Sequence, residues 1–133
     1  MTRKKILVVD DEPHVARMLD FLFQSRNKNY AIIKADNGQD GFEKATSEKP
    51  DLIILDIMMP KEAKDSGKIT HDTGLTLLKK LKDDSETKKI PVIMLAVAGS
   101  ANAEEAERTG AVGSFTKNYD DDEMFECVEA ILG

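Results

Sequence analysis

Three aspartates stand where apolar runs stop. Ile6-Leu7-Val8-Val9 leads into Asp10-Asp11-Glu12-Pro13, and Leu52-Ile53-Ile54-Leu55 leads into Asp56. Short apolar runs bounded by turn signals read as buried strands of a parallel sheet. In open α/β sheets, ligands bind outside the carboxyl ends of the strands. If the two strands are neighbours, their ends build an acidic pocket. Clustered carboxylates repel one another and favour a hard divalent cation; with fewer than a full cage of protein oxygens, Mg²⁺ suits such a pocket better than Ca²⁺. Lys117, expected to end a later strand, can reach the same rim. Carboxylates, a metal and a lysine together stabilise a phosphoryl group in transfer, with one carboxylate attacking phosphorus in line. Asp56, alone at its strand end, suits the nucleophile better than the crowded Asp10-Asp11 pair.

The elements that must position these side chains alternate strand and helix. Strand one is expected at Lys5 to Val9. Pro13 opens a helix, where its missing N–H costs nothing, and Val15, Met18, Leu19 and Leu22 form its sheet-facing stripe. Strand two follows at Tyr30 to Ala35, a helix at Gln39 to Ser47, and strand three at Leu52 to Leu55. Lys61 to Thr73, with Gly67 and His71, reads as a long polar loop of a length that is often functional. A helix from Gly74 to Leu81 precedes strand four, Ile90 to Leu95, with a proline tolerated at its start. A weak helix at Asn102 to Thr109, strand five at Gly113 to Thr116 and a helix from Asp120 to Leu132 complete the chain. Asp120 to Asp122 favour that last helix through its dipole. Five βα units predict an α/β fold: a flavodoxin-like, doubly wound, five-stranded parallel sheet of order 2-1-3-4-5 with helices on both faces. That order places strands one and three side by side, so Asp10, Asp11 and Asp56 meet.

The bulk properties narrow the function. The 133 residues favour one domain, 1–133, with room for a core. A formal net charge of −6 argues against a nucleic-acid surface. No apolar run approaches a membrane span, and the four-residue run after the charged N-terminus is too short for a signal peptide. Cys127 is the only cysteine, so no internal disulfide forms and a cytoplasmic location is expected. It reads as a small core-filling side chain. His14 and His71 have no companion at ligand spacing, which argues against zinc.

The chain resembles the receiver domains of two-component response regulators. The resemblance rests on Ile6 to Pro13, on Pro50 to Pro60 with Asp56 and Met58, on Pro91 to Leu95, then Gly110-Ala111 and Thr116-Lys117, in that order. It implies the same strand order, so the two expectations are not independent. It further implies that Asp56 is the phosphoacceptor and that Asp11, Asp56 and the backbone carbonyl of Met58 ligate Mg²⁺. Asp10 would hold the metal through water, and Lys117 would pair with the acceptor carboxylate and later with the phosphoryl group. The implied donor is a histidine kinase, a histidine phosphotransfer protein or a small-molecule phosphodonor. Slow self-hydrolysis follows, without enzymatic turnover of a separate substrate. The output partner is left open, and no membrane or nucleic-acid contact is implied.

Four positions depart from the family pattern. Ala96 stands where a Thr or Ser usually bonds the phosphoryl group; losing such a bond costs roughly 1.5–3 kcal/mol. Ser100, nearby in sequence, offers no evident substitute. Ser114 replaces the usual aromatic, with Phe115 directed to the other side of the strand. Asn118 replaces a Pro after the lysine, which disfavours a cis bond there. The link after strand three is longer by about ten residues, and Gly74 then matches the glycine opening helix three. The alternative is therefore a pseudo-receiver, a phosphorylation-independent interaction module. A dehalogenase-like phosphatase wants Asp-x-Asp after strand one, and a nucleotide or flavin site wants a glycine-rich turn there; neither is present. Glu12 reads as an exposed first-turn acid, and the Met58-Met59 pair as packing.

Overall fold

The computed structural model describes residues 3–65, 72–96 and 101–133. A five-stranded sheet runs in the order β2-β1-β3-β4-β5. Its strands are β1 (Lys5–Val9), β2 (Ala31–Ala35), β3 (Leu52–Asp56), β4 (Val92–Leu95) and β5 (Gly113–Phe115). All four pairings are parallel. The helices are α1 (Pro13–Ser25), α2 (Gly38–Glu48), α3 (Thr73–Asp83), α4 (Ala101–Thr109) and α5 (Asp121–Leu132). This is the flavodoxin-like, doubly wound α/β arrangement that the alternating pattern predicts.

Period-two alternation divides the strand residues between two cores. Leu7, Val9, Ile53, Leu55, Val92 and Met94 pack with Ala45 of α2, Leu77, Leu78 and Leu81 of α3, and Ala106 of α4. Ile6, Val8, Leu52, Ile54, Ile93 and Leu95 pack with α1 and with Met124 and Val128 of α5. The central strands β1, β3 and β4 are almost wholly buried, as continuous apolar runs covered on both faces must be. No helix is long and apolar enough to cross a membrane among the described residues.

Element boundaries differ from expectation where local chemistry intervenes. Asn37 caps α2 by accepting a hydrogen bond from the Asp40 N–H at 2.8 Å, so the helix begins at Gly38. Asp120 is the cap of α5 rather than its first residue, accepting from the Glu123 N–H at 3.0 Å. β4 starts after Pro91, whose carbonyl nonetheless accepts from Ile53 N–H at 3.0 Å. Met18 does not belong to the buried stripe of α1: it is 58% exposed, and Ala16 and Phe23 take the place assigned to it. The buried residues centre on a line that Met18 misses by about 100° at 100° per residue. The expected Lys61 to Thr73 loop contains a short 3₁₀ turn at Ala63–Asp65, and Thr73 already belongs to α3. Gly67, His71 and Ser100 lie outside the described residues.

Candidate functional site: an acidic pocket with one lysine

β1 and β3 are direct neighbours, with Val9 opposite Leu55, so the residues that follow them share one rim. Asp10 continues the ladder by donating its N–H to the Ala35 carbonyl at 2.9 Å. Asp56 is the last residue of β3, opposite Leu95. Both side chains are buried, Asp10 at 7% and Asp56 at 4% exposure, and Asp11 beside them is half-buried. One carboxylate oxygen from each of Asp10, Asp11 and Asp56 lies within 4.8 Å of the others.

The polypeptide around Asp56 is held tightly. Its Oδ1 accepts from the Met58 N–H at 3.2 Å, and Ile57 N–H donates to the Leu95 carbonyl at 3.2 Å. Gly74, near the start of α3, donates its N–H to the Ile57 carbonyl at 2.8 Å. A β-carbon at Gly74 would sit 2.2 Å from the Asp56 carbonyl oxygen and 2.4 Å from Ile57 Cα, so only glycine fits. α3 is thereby pressed directly onto the backbone that aims Asp56. Met59 is fully buried and Met58 packs against the same core, as the packing role expected for the pair requires.

Lys117 lies two residues beyond β5 rather than within it, because that strand ends at Phe115. Its ammonium still reaches the rim, 3.1 Å from Asp56 Oδ2, 3.2 Å from Asp10 Oδ2 and 3.3 Å from Asp10 Oδ1. It also hydrogen-bonds the Glu12 carboxylate. Glu12 is as exposed as its place at the start of α1 suggests, yet it is part of this cluster, which the sequence reading missed. The available signal was topological: Glu12 follows the same strand end as Asp10 and Asp11.

Electrostatics in the pocket are poised for a cation. Burial and the nearby Asp10 charge push the Asp56 carboxyl up to about 6, against the pull of Lys117. Burial also raises Asp10, partly offset by the Glu12 backbone N–H and by Lys117. Burial opposes charge on Lys117, but the Glu12 hydrogen bond and the Asp56 and Asp10 charges outweigh it and lift the ammonium above its usual range. The Asp10 Oδ2 and Asp56 Oδ2 atoms are buried and within ion-pair reach of Lys117, yet neither receives an aligned hydrogen bond. Buried carboxylate oxygens without hydrogen bonds are costly. Hard, closely spaced oxygen donors of this kind fit Mg²⁺.

The doubly wound fold with an acidic pocket at the strand ends has counterparts among known proteins. A family model for the response regulator receiver domain matches residues 6–129, and the chain belongs to that family. It is 30% identical to Protein PilH of Pseudomonas aeruginosa over 129 residues, covering 96% of this chain and 97% of that protein. It is 34% identical to the alkaline phosphatase synthesis transcriptional regulatory protein PhoP of Bacillus subtilis, over 97% of this chain but 48% of that protein. The chain thus spans about half the length of PhoP and of similar regulators. The solved chemotaxis response regulator CheY4 of Vibrio cholerae matches with a TM-score of 0.79 and 26% identity, covering 98% of this chain and 100% of that one. Receiver domains bind Mg²⁺ at an acidic aspartate cluster and are phosphorylated by histidine kinases or phosphotransfer proteins; the acidic cluster here is Asp10, Asp11 and Asp56.

Proposed function

We propose that residues 1–133 act as one receiver unit in which Asp56 accepts a phosphoryl group. The observation that carries this reading is a buried, strand-terminal carboxylate with an ammonium 3.1 Å from its Oδ2 and two further aspartates beside it. Asp11, Asp56 and the Met58 carbonyl would hold Mg²⁺, with Asp10 acting through water; when bound, the ion supplies charge neutralisation at the phosphoryl oxygens. An Asp56 oxygen attacks phosphorus while the phosphorus–nitrogen bond of the donor phosphohistidine breaks. The imidazole leaves with the bonding pair and takes up a proton, and an acyl phosphate remains on Asp56. Lys117 turns from the free carboxylate to the phosphoryl oxygens. Hydrolysis reverses the modification: water attacks phosphorus, the acyl phosphate P–O bond breaks, and inorganic phosphate departs. The donor would be a histidine kinase or histidine phosphotransfer protein, and the setting the cytoplasm. The domain modifies only itself and in that sense is not an enzyme.

Two substitutions support a different response to phosphorylation. Ala96 is buried just after β4 and carries a methyl group, with no hydroxyl to offer a phosphoryl oxygen. Ser114 pairs with Met94 and so shares the α2–α4 side of the sheet, whereas Phe115 packs with the α1–α5 core. The reading is a domain that relays phosphate, or signals, without the hydroxyl–aromatic coupling. Spectra with and without a phosphoryl mimic test it, and a large change spreading over α4 and β5 counts against it. The same two residues favour the second reading, a pseudo-receiver that binds partners without phosphate. Incubation with acetyl phosphate and Mg²⁺ separates the two. The phosphoacceptor gains one phosphoryl group by mass, and the Asp56→Asn variant gains none. A wild-type protein that gains none is a pseudo-receiver.

A further inference from the structure

Glu12 has a contact that its position does not require. It is the residue before α1, where a side chain usually caps the helix, yet its carboxylate makes no capping hydrogen bond. Its backbone is fixed instead, donating N–H to Asp10 Oδ1 at 2.9 Å. The carboxylate reaches across 105 positions of sequence to hydrogen-bond Lys117. An ammonium has three donors. Glu12 and Asp10 Oδ1 take hydrogen bonds from it, and Asp56 Oδ2 lies 3.1 Å away as an ion-pair partner, so Glu12 competes with both aspartates for one ammonium.

We propose that Glu12 is a positioning residue that shares the Lys117 ammonium with Asp56 and Asp10, and so restrains its turn towards a phosphoryl group that competes for it. The proposal rests on the phosphoacceptor reading of Asp56. Lys117 can neutralise the incoming phosphoryl oxygens only by giving up part of its bond to Glu12. Glu12 is 47% exposed on its side chain, so water and salt can take over its charge when the ammonium swings inward. Glu12 thereby sets how readily Asp56 is modified, without touching the reacting atoms.

The test compares wild type with Glu12→Gln, which keeps side-chain length and leaves the helix start unchanged. At saturating Mg²⁺ and low salt, acetyl phosphate should modify the variant roughly 1.5- to fivefold faster, the size expected for removing one exposed charged competitor. Raising the salt should shrink that ratio towards one, because the restraint in wild type is then screened. A merely structural role would not depend on salt. Without metal or donor, the ¹⁵N signal of the Lys117 side chain should move in Glu12→Gln and stay in place in the control Glu43→Gln. A wild type that is modified, beside a variant with the same rate at every salt concentration, overturns the restraint alone. A variant that is slower and binds Mg²⁺ more weakly also overturns it, making Glu12 part of the metal site. A wild type that takes no phosphoryl group overturns the underlying reading and the restraint with it.

Discussion

Replacing Asp56 with Asn should stabilise the metal-free protein, and the size of the effect follows from the pocket. Burial and the Asp10 charge raise the Asp56 carboxyl from 3.8 to about 6 in the fold. One pH unit of such a difference is worth about 1.4 kcal/mol. Ionised Asp56 therefore costs the fold up to about 3 kcal/mol at neutral pH. The sign follows from proton binding. Between pH 4 and 6 the unfolded chain has released this proton and the fold still holds it, so stability falls as pH rises through that window. Asparagine keeps the shape and removes the charge, while Lys117 retains Asp10 and Glu12 as partners. Thermal unfolding at pH 7.5 in a chelator should show Asp56→Asn more stable by about 1–3 kcal/mol, or roughly 3–10 °C for a chain of this size. At pH 4.5 the gain should shrink to about a third. Saturating Mg²⁺ should narrow it at pH 7.5 by stabilising the wild-type fold. An Asn variant no more stable than wild type at pH 7.5, or an increment indifferent to pH, would refute the reasoning.

Three further outcomes are expected. Gly74→Ala should destabilise the fold by about 1–3 kcal/mol or more, since its β-carbon meets backbone rather than a movable side chain; it should also slow modification of Asp56, and a variant matching wild type in both urea unfolding and acetyl phosphate labelling would count against the close approach. Magnesium affinity, read by titration calorimetry, should weaken as pH falls below about 6, because the cation must displace the Asp56 proton; a flat profile from pH 5 to 7 would contradict this. Ala96→Thr should restore a hydrogen bond to the phosphoryl group worth roughly 1.5–3 kcal/mol. It should raise the population of the phosphorylated conformation by about ten- to a hundredfold, visible in NMR spectra with a phosphoryl mimic; unchanged spectra would show that the missing hydroxyl is not what limits the switch.

The readable part of the fold was the part governed by local pattern. The apolar runs of β1 and β3 end in acids, and neighbouring strands alone bring Asp10, Asp11 and Asp56 to one rim. Gly74 was legible through its place at the start of a helix, though not the 2.2 Å approach that explains it. Met18 was misplaced because its spacing from Val15 is helical, while the stripe is centred elsewhere by Ala16 and Phe23. The Glu12–Lys117 pair was legible only through the strand end that Glu12 shares with Asp10 and Asp11, because Glu12 otherwise looks like ordinary solvent-facing charge and Lys117 is 105 positions away. Pairing across such a distance is fixed by the tertiary positions of two loops, and neither loop carries a periodic signal.

The central claim is that the phosphoryl group is carried as an acyl phosphate on the Asp56 side chain. Borohydride reduces an acyl phosphate to an alcohol and leaves a free carboxylate untouched, so it marks the modified residue. After acetyl phosphate and Mg²⁺, peptide mapping of the reduced protein should place that conversion at position 56 alone, with none when Mg²⁺ is chelated. Conversion at Asp10 or Asp11 instead, or a phosphoryl gain with no reducible carboxyl group, would contradict the account.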